Sequence, residues 1–344
     1  MRRVLHVGPC NTPGGMATVM TTLADHPPNG WEASLLSSHS EGGILGKWRA
    51  YRRARRELNR RCTDASQRPD VVHVHVASDW SWRRKARLIA VARRHGVAVV
   101  VHLHSGRFEA WLEAGGPRRS GVVKKALNSP RVEGVVLSEA WRARLEGHLG
   151  RLTVIGNPLP ATTAGSQQHR EKNHLLLLGR NDPVKGHAFA LQVAERLRTT
   201  HPDLRLTMTG WEEEDIPWVE SPGWVSNEQK VSLMARASVL LVPSAYEGQP
   251  MVALEALSTG LPVCASDRVQ GLPDTVVQAS YGDVDAWVSR LSEVLEQPES
   301  SEALVKSVAS HAVDEVQKQW SFQQMQQKNL SIANFEFVED WTKF

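Results

Sequence analysis

Two carboxylates, Glu247 and Glu255, are separated by seven residues that must contain the start of a helix. Upstream, residues 238–244 form a short apolar, β-branched run of the kind that makes a buried strand. Gly248, Gln249 and Pro250 break it, and proline suits a first helical turn because the N–H it lacks has no partner there. The helix is expected to end near Thr259, where Gly260 can adopt a left-handed cap and Pro262 cannot continue. Residues 262–266 then read as the next strand. In a β-α-β unit of this kind ligands gather at the carboxyl ends of the strands. Glu247 therefore belongs to the ligand-facing loop and Glu255 to the helix behind it.

The N–H groups near Met251 and Val252 make a positive helix pole suited to phosphate. Acids beside an anion site make chemical sense if the ligand also carries hydroxyls, as a nucleotide sugar does. One capping acid and one solvated helix acid is an equal reading of these residues alone. A second loop, residues 179–186, again lies between strand and helix. It brings Arg180 and Lys185, two cations that fit a diphosphate without a metal.

In the first half, residues 8–16 follow the first strand, and Gly14 and Gly15 leave backbone N–H groups accessible at a helix start. The spacing departs from the dinucleotide G-x-G-x-x-G pattern, and a structural turn explains it equally well. His73 with His75, and His102 with His104, stand two apart in strand-like runs and so share a face. No third and fourth metal ligand is evident, so burial in the sheet is expected. His104, beside Ser105 and Gly106 at a strand end, is the one able to reach a ligand. Asp283 and Asp285 are expected to cap the helix that follows them, not to bind metal.

These loops need a framework. A chain of 344 residues favours two domains, and each half alternates strand with helix. The expectation is an α/β protein of two Rossmann-like, doubly wound domains facing a central cleft, over residues 1–160 and 173–319. Polar residues 161–172 read as a linker. The tail, 320–344, reads as helical and packing back across the domain junction. Cys10, Cys62 and Cys264 are too few and too far apart for a disulfide framework or a zinc site, which fits a reducing cytoplasm. No apolar run approaches membrane-spanning length, and residues 1–8 read as a strand and turn in place of a secretory signal.

Charge is uneven. Residues 1–160 hold 26 Lys and Arg against 12 Asp and Glu, whereas the remainder holds 15 against 25. Tryptophans interleave the arginines in 48–61 and 80–87, which suits an anionic membrane surface, although a solvated helix face is an equal reading. No motif supports nucleic acid as a partner.

Assembled, these residues resemble the retaining glycosyltransferases of family 4, which have the GT-B fold. The resemblance runs through Gly14-Gly15, His104, 154–158, Gly179-Arg-x4-Lys185-Gly186, Gly223-Trp224-Val225 and Glu247-x7-Glu255, and covers nearly the whole chain. It implies a nucleotide-sugar donor whose diphosphate meets Arg180 and Lys185. Glu247 would hold hydroxyls of the transferred sugar and Glu255 the ribose, with Gly248, Gln249, Pro250, Met251 and Val252 lining sugar and phosphate. Trp224 and Val225 would border the base, Gly14 and Gly15 the diphosphate, and His104 the sugar near its reacting carbon. The resemblance further implies retention of anomeric configuration with no protein nucleophile and no metal or cofactor. The acceptor would be a glycan or lipid-linked glycan. Asp274 and Pro158 depart from the family pattern, where Glu and Gly are frequent. A nucleotide-sugar epimerase of similar architecture and a non-catalytic nucleotide-sugar or glycan-binding protein are the alternatives. The expected location is cytoplasmic, peripheral to the inner face of the membrane.

Overall fold

The computed structural model describes residues 1–12, 14–27, 30–158, 170–211 and 216–296. They fall into two compact units, the first ending at Pro158. The polar stretch 161–172 lies mostly, and the tail 320–344 wholly, outside the described residues.

The first unit alternates β1 (Arg2–Gly8), α1 (Gly15–Asp25), β2 (Trp31–Ser37), α2 (Ile44–Thr63), β3 (Val71–Val76), α3 (Trp80–Arg94) and β4 (Ala98–Leu103). It continues with α4 (Phe108–Ala114), α5 (Gly116–Leu127), β5 (Val132–Val136), α6 (Glu139–Leu149) and the short β6 (Thr153–Val154). The strands form one six-stranded sheet in the order β2-β1-β3-β4-β5-β6, and every pairing is parallel. All six residues of β3 are buried, as a central strand covered by helices on both faces requires. α2 is basic yet docks through Tyr51, Ala54, Leu58 and Cys62, a helical stripe that leaves its arginines outward. The chain reverses direction across the sheet between β1 and β3, so their carboxyl ends make the switch point where open α/β sheets take ligands.

The second unit runs β7 (His174–Leu177), a 3-10 turn (Pro183–Lys185), α7 (His187–Leu197), β8 (Arg205–Met208), β9 (Val219–Glu220) and α8 (Asn227–Arg236). Then follow β10 (Val239–Val242), α9 (Met251–Ser258), β11 (Val263–Ser266), β12 (Val277–Ala279) and α10 (Val284–Glu296). Its sheet is again six-stranded and parallel, in the order β12-β11-β10-β7-β8-β9, which puts its switch point between β7 and β10. Two doubly wound α/β sheets are thus present, as the alternation in sequence requires. α9 ends at Ser258, with Gly260 at φ 72°, matching the expected stop. β6, β9 and β12 were not expected, because two or three residues carry no readable alternation.

Candidate functional site

The loops that leave β7 and β10 meet at the second unit's switch point. Gly186 follows the 3-10 turn in the left-handed region (φ 76°), where a Cβ would stand 2.9 Å from the Pro243 carbonyl oxygen. Glycine is therefore what lets the Lys185 loop lie against the end of β10. The Ala245 N–H donates to the Val184 carbonyl at 2.9 Å, tying the two loops together. Across this seam the Lys185 ammonium donates to Glu247 Oε1 at 2.5 Å, and the Ser244 hydroxyl donates to the same oxygen at 3.1 Å. The sequence pointed Lys185 at phosphates and Glu247 at hydroxyls as separate groups; the structure makes them one ion pair. Glu247 Oε2 accepts no hydrogen bond among the described residues, and an ammonium has two further N–H groups. Both partners keep capacity for a ligand.

α9 begins behind them. Gly248, Gln249 and Pro250 are buried, and the Gln249 amide donates to the Gly271 carbonyl at 2.9 Å, which fixes the approach to the helix. No side chain caps α9, and the N–H groups of Ala253 and Leu254 both turn back to Pro250. Met251 and Val252 thus head an open positive pole. Glu255 lies on this helix, 2% exposed, and accepts a hydrogen bond from Lys230 at 2.8 Å. Burial pushes the Glu255 carboxyl above its usual range, and Lys230 opposes that shift. Trp224 is 61% exposed and Val225 half-buried in the loop between β9 and α8. Arg180 is exposed and makes no ion pair among the described residues.

The first unit corrects one expectation. The histidine pairs do not stand alone: His6 of β1 is level with His73 of β3, and His75 is level with His102 of β4. With His104 they form a five-imidazole ladder. His6 Nδ1 lies 3.2 Å from His75 Nε2, His75 Nδ1 lies 3.0 Å from His104 Nε2, and His73 Nε2 lies 3.3 Å from His102 Nδ1. His102 Nε2 is 3.0 Å from the Ile155 carbonyl, which can only accept, so that nitrogen carries the proton. The ligand-type atoms of His6, His73 and His75, and of His75, His102 and His104, fall within 4.8 Å of one another, so third ligands do exist. Sequence could not align β1 with β3. Burial lowers every one of these rings, His6 to about 4 and His102 to about 3, so all are neutral at pH 7. Four are buried and engaged in ring–ring hydrogen bonds. His104, at the end of the ladder, is half-buried. Gly14, at φ 140°, has nothing within 4 Å of a Cβ, and α1 starts at Gly15 without a side-chain cap. Asp283 accepts from the Ala286 N–H at 3.0 Å, the capping role foreseen for it.

Residues 162–311 match the family model described as glycosyl transferases group 1. That stretch of the chain is similar to the glycosyl transferases group 1. Among curated relatives, glycogen synthase of Mycobacterium tuberculosis is 28% identical over 279 residues, 73% of this chain and 66% of the relative. The chain therefore spans just under two thirds of that relative's length. MMP alpha-(1->4)-mannosyltransferase of Mycolicibacterium hassiacum is 27% identical over 168 residues, 43% of this chain and 40% of the relative. Sucrose-phosphate synthase from Thermosynechococcus elongatus superposes with a TM-score of 0.71 at 16% identity, over 98% of this chain and 100% of that one. HepE from Anabaena, solved in complex with UDP, gives 0.70 at 13% identity, over 97% and 100%. At such identities these likenesses show the fold, which is GT-B.

Within the matched residues, sequence reasoning singled out Lys185 and Glu247 but not Lys230. Nothing local marks Lys230: it follows a Ser226–Gln229 capping box as an ordinary first-turn residue of α8. Only the ion pair that it makes across to α9 shows that it neutralises Glu255.

Proposed function

We propose that the protein transfers a sugar from a nucleotide diphosphate sugar to an acceptor hydroxyl with retention at the anomeric carbon, as a member of family 4. The observation that carries this reading is the Lys185–Glu247 pair at the β7/β10 switch point, beside the uncapped pole of α9, within residues that match the glycosyl transferases group 1 model. Lys185 and Arg180 offer positive charge to the diphosphate, and the pole formed by Met251 and Val252 adds to it. This charge stabilises the leaving group as the glycosidic bond breaks, so no metal is needed in this scheme. Glu247, held by Lys185 and Ser244, presents its free oxygen to hydroxyls of the transferred sugar. Glu255, held by Lys230, takes the ribose, and Trp224 and Val225 border the base.

Gly14, Gly15 and His104 of the first unit serve the same reaction in this reading. His104 is neutral, so it donates or accepts a hydrogen bond at the sugar without adding charge. The acceptor is a glycan or lipid-linked glycan, in bacterial cell-surface polysaccharide or glycolipid synthesis. Peripheral attachment to an anionic membrane is supported by exposed Ile44, Leu45, Trp48 and Trp80 among the arginines of α2 and α3. Among the described residues no helix is long and apolar enough to cross a membrane. A thermal-shift panel of nucleotide diphosphate sugars, followed by proton NMR of the product's anomeric centre, tests the proposal. Donor-dependent stabilisation and a product of unchanged anomeric configuration are expected. Inversion, or an epimerised donor with no transfer, would overturn it.

A further inference from the structure

The strongest unexplained group lies in the first unit. Lys85 projects from the buried face of α3, beside Trp82, Leu88 and Ile89, and is 2% exposed. Its ammonium donates to the carbonyls of His75, at 3.0 Å, and Val7, at 3.3 Å. Those carbonyls lie near the carboxyl ends of β3 and β1, so the charge sits at the switch point of the first sheet. No carboxylate pairs with it among the described residues. A buried cation without a countercharge is costly unless something anionic answers it.

Its surroundings add positive charge. Arg84, the next residue on α3, is half-buried with its Nε unpartnered, and His39, in the loop after β2, has its Nδ1 unpartnered. Arg84, Lys47 of α2 and Lys85 all act on His39, and Glu41, which is exposed, is the one acid acting there. Cys10, in the loop after β1, also faces Lys85, but burial raises its thiol and keeps it from supplying a negative charge. His104 of the ladder feels Lys85 and is neutral. Three cations with spare N–H donors, from α2 and α3, thus gather around His39 against one exposed acid. A tetrahedral anion of high charge, with several acceptor oxygens, satisfies that set.

We infer that the carboxyl ends of β1 and β3 hold an anion subsite, built on Lys85 with Arg84, Lys47 and His39, that takes a phosphoryl group carried by the acceptor. The anion subsite stands on the first unit alone; its assignment to the acceptor rests on the glycosyltransfer reading above. Phosphate esters of a soluble sugar and of a lipid headgroup present the same chemistry, and the experiment separates them.

The full chain is titrated with inorganic phosphate and with sulfate, by calorimetry, as wild type, Lys85→Met and Arg84→Gln. Wild type is expected to bind both, and Lys85→Met to weaken phosphate by about tenfold or more, with a smaller loss in Arg84→Gln. Sulfate keeps its charge across neutrality, so its affinity reports Lys85: it should fall as pH rises through neutrality in wild type and stay flat in Lys85→Met. If Lys85→Met does not fold, the half-exposed Arg84→Gln carries the comparison. Binding by wild type that neither variant weakens, or no binding of either ion by wild type, overturns the subsite. Lys85-dependent binding of glucose 6-phosphate identifies a soluble acceptor. Lys85-dependent retention on phosphatidylglycerol vesicles, and not on phosphatidylcholine, identifies a lipid one. Displacement of phosphate by saturating UDP overturns the acceptor assignment. Phosphate binding that persists without any sugar transfer tells failure of the glycosyltransfer reading from failure of this one.

Discussion

The two sheets share a parallel, doubly wound plan and differ in how they treat charge at their switch points. In the second unit two acids at the switch point each have their own lysine: Glu247 with Lys185, and Glu255 with Lys230. In the first unit the switch point holds Lys85 without a carboxylate, above a ladder of neutral imidazoles. A site of balanced pairs suits a ligand that is itself mixed, with phosphate charge beside hydroxyls. An unbalanced cation suits a ligand whose recognised part is purely anionic. The same topology thus supports two recognition chemistries, set by a few side chains at equivalent places.

The largest break in this contrast comes from unpairing a buried acid. Lys230→Met strands the Glu255 carboxylate in the interior and should cost the second unit about 3–5 kcal/mol of stability. Hydrogen exchange of peptides from α9 measures it, and unchanged protection there means that Glu255 does not depend on Lys230. Next, Lys185→Ala should lower kcat/KM for sugar transfer by about a hundredfold or more, the scale of losing one preorganised charge at a leaving group, with little change in melting temperature.

A third test sharpens the other side. Burial, with Arg84 adding to it, brings Lys85 down to about 7, whereas the unfolded chain keeps that proton up to the ordinary lysine range. Stability of the wild type should therefore rise as pH climbs from about 7 into that range, and the full penalty should apply at lower pH. Lys85→Met should remove the slope and stabilise the first unit near neutrality, by about 4–5 kcal/mol from the shift less about 2 kcal/mol for the two carbonyls it leaves without a donor, read from denaturant midpoints across pH. The smallest effect belongs to Arg180, which is exposed: Arg180→Gln should cost about threefold to tenfold in the donor's KM.

The contrast also explains what could be read from sequence. Residues 244–255 announced their strand, break and helix because proline and glycine act locally, and the loops at 179–186 and 8–16 were placed by the same logic. Partners across the sheet were not legible. His6 lies 67 residues from His73, and only the register of β1 on β3 brings the two level. Lys230 and Lys85 sit in helices whose patterns mark them as ordinary polar positions, and packing alone reveals the acid behind one and the bare carbonyls behind the other. Alternation therefore revealed the frame and the loops, while electrostatic pairing required coordinates.

The most direct test of the proposed donor site is calorimetric titration of the full chain with UDP-, GDP- and ADP-sugars, comparing wild type with Lys185→Ala and with Arg196→Ala. Arg196 is a surface residue of α7 outside the site and serves as the control. At least one donor should bind wild type and Arg196→Ala alike, and Lys185→Ala should bind it about tenfold or more weakly. Equal binding of that donor by all three proteins would contradict the assignment.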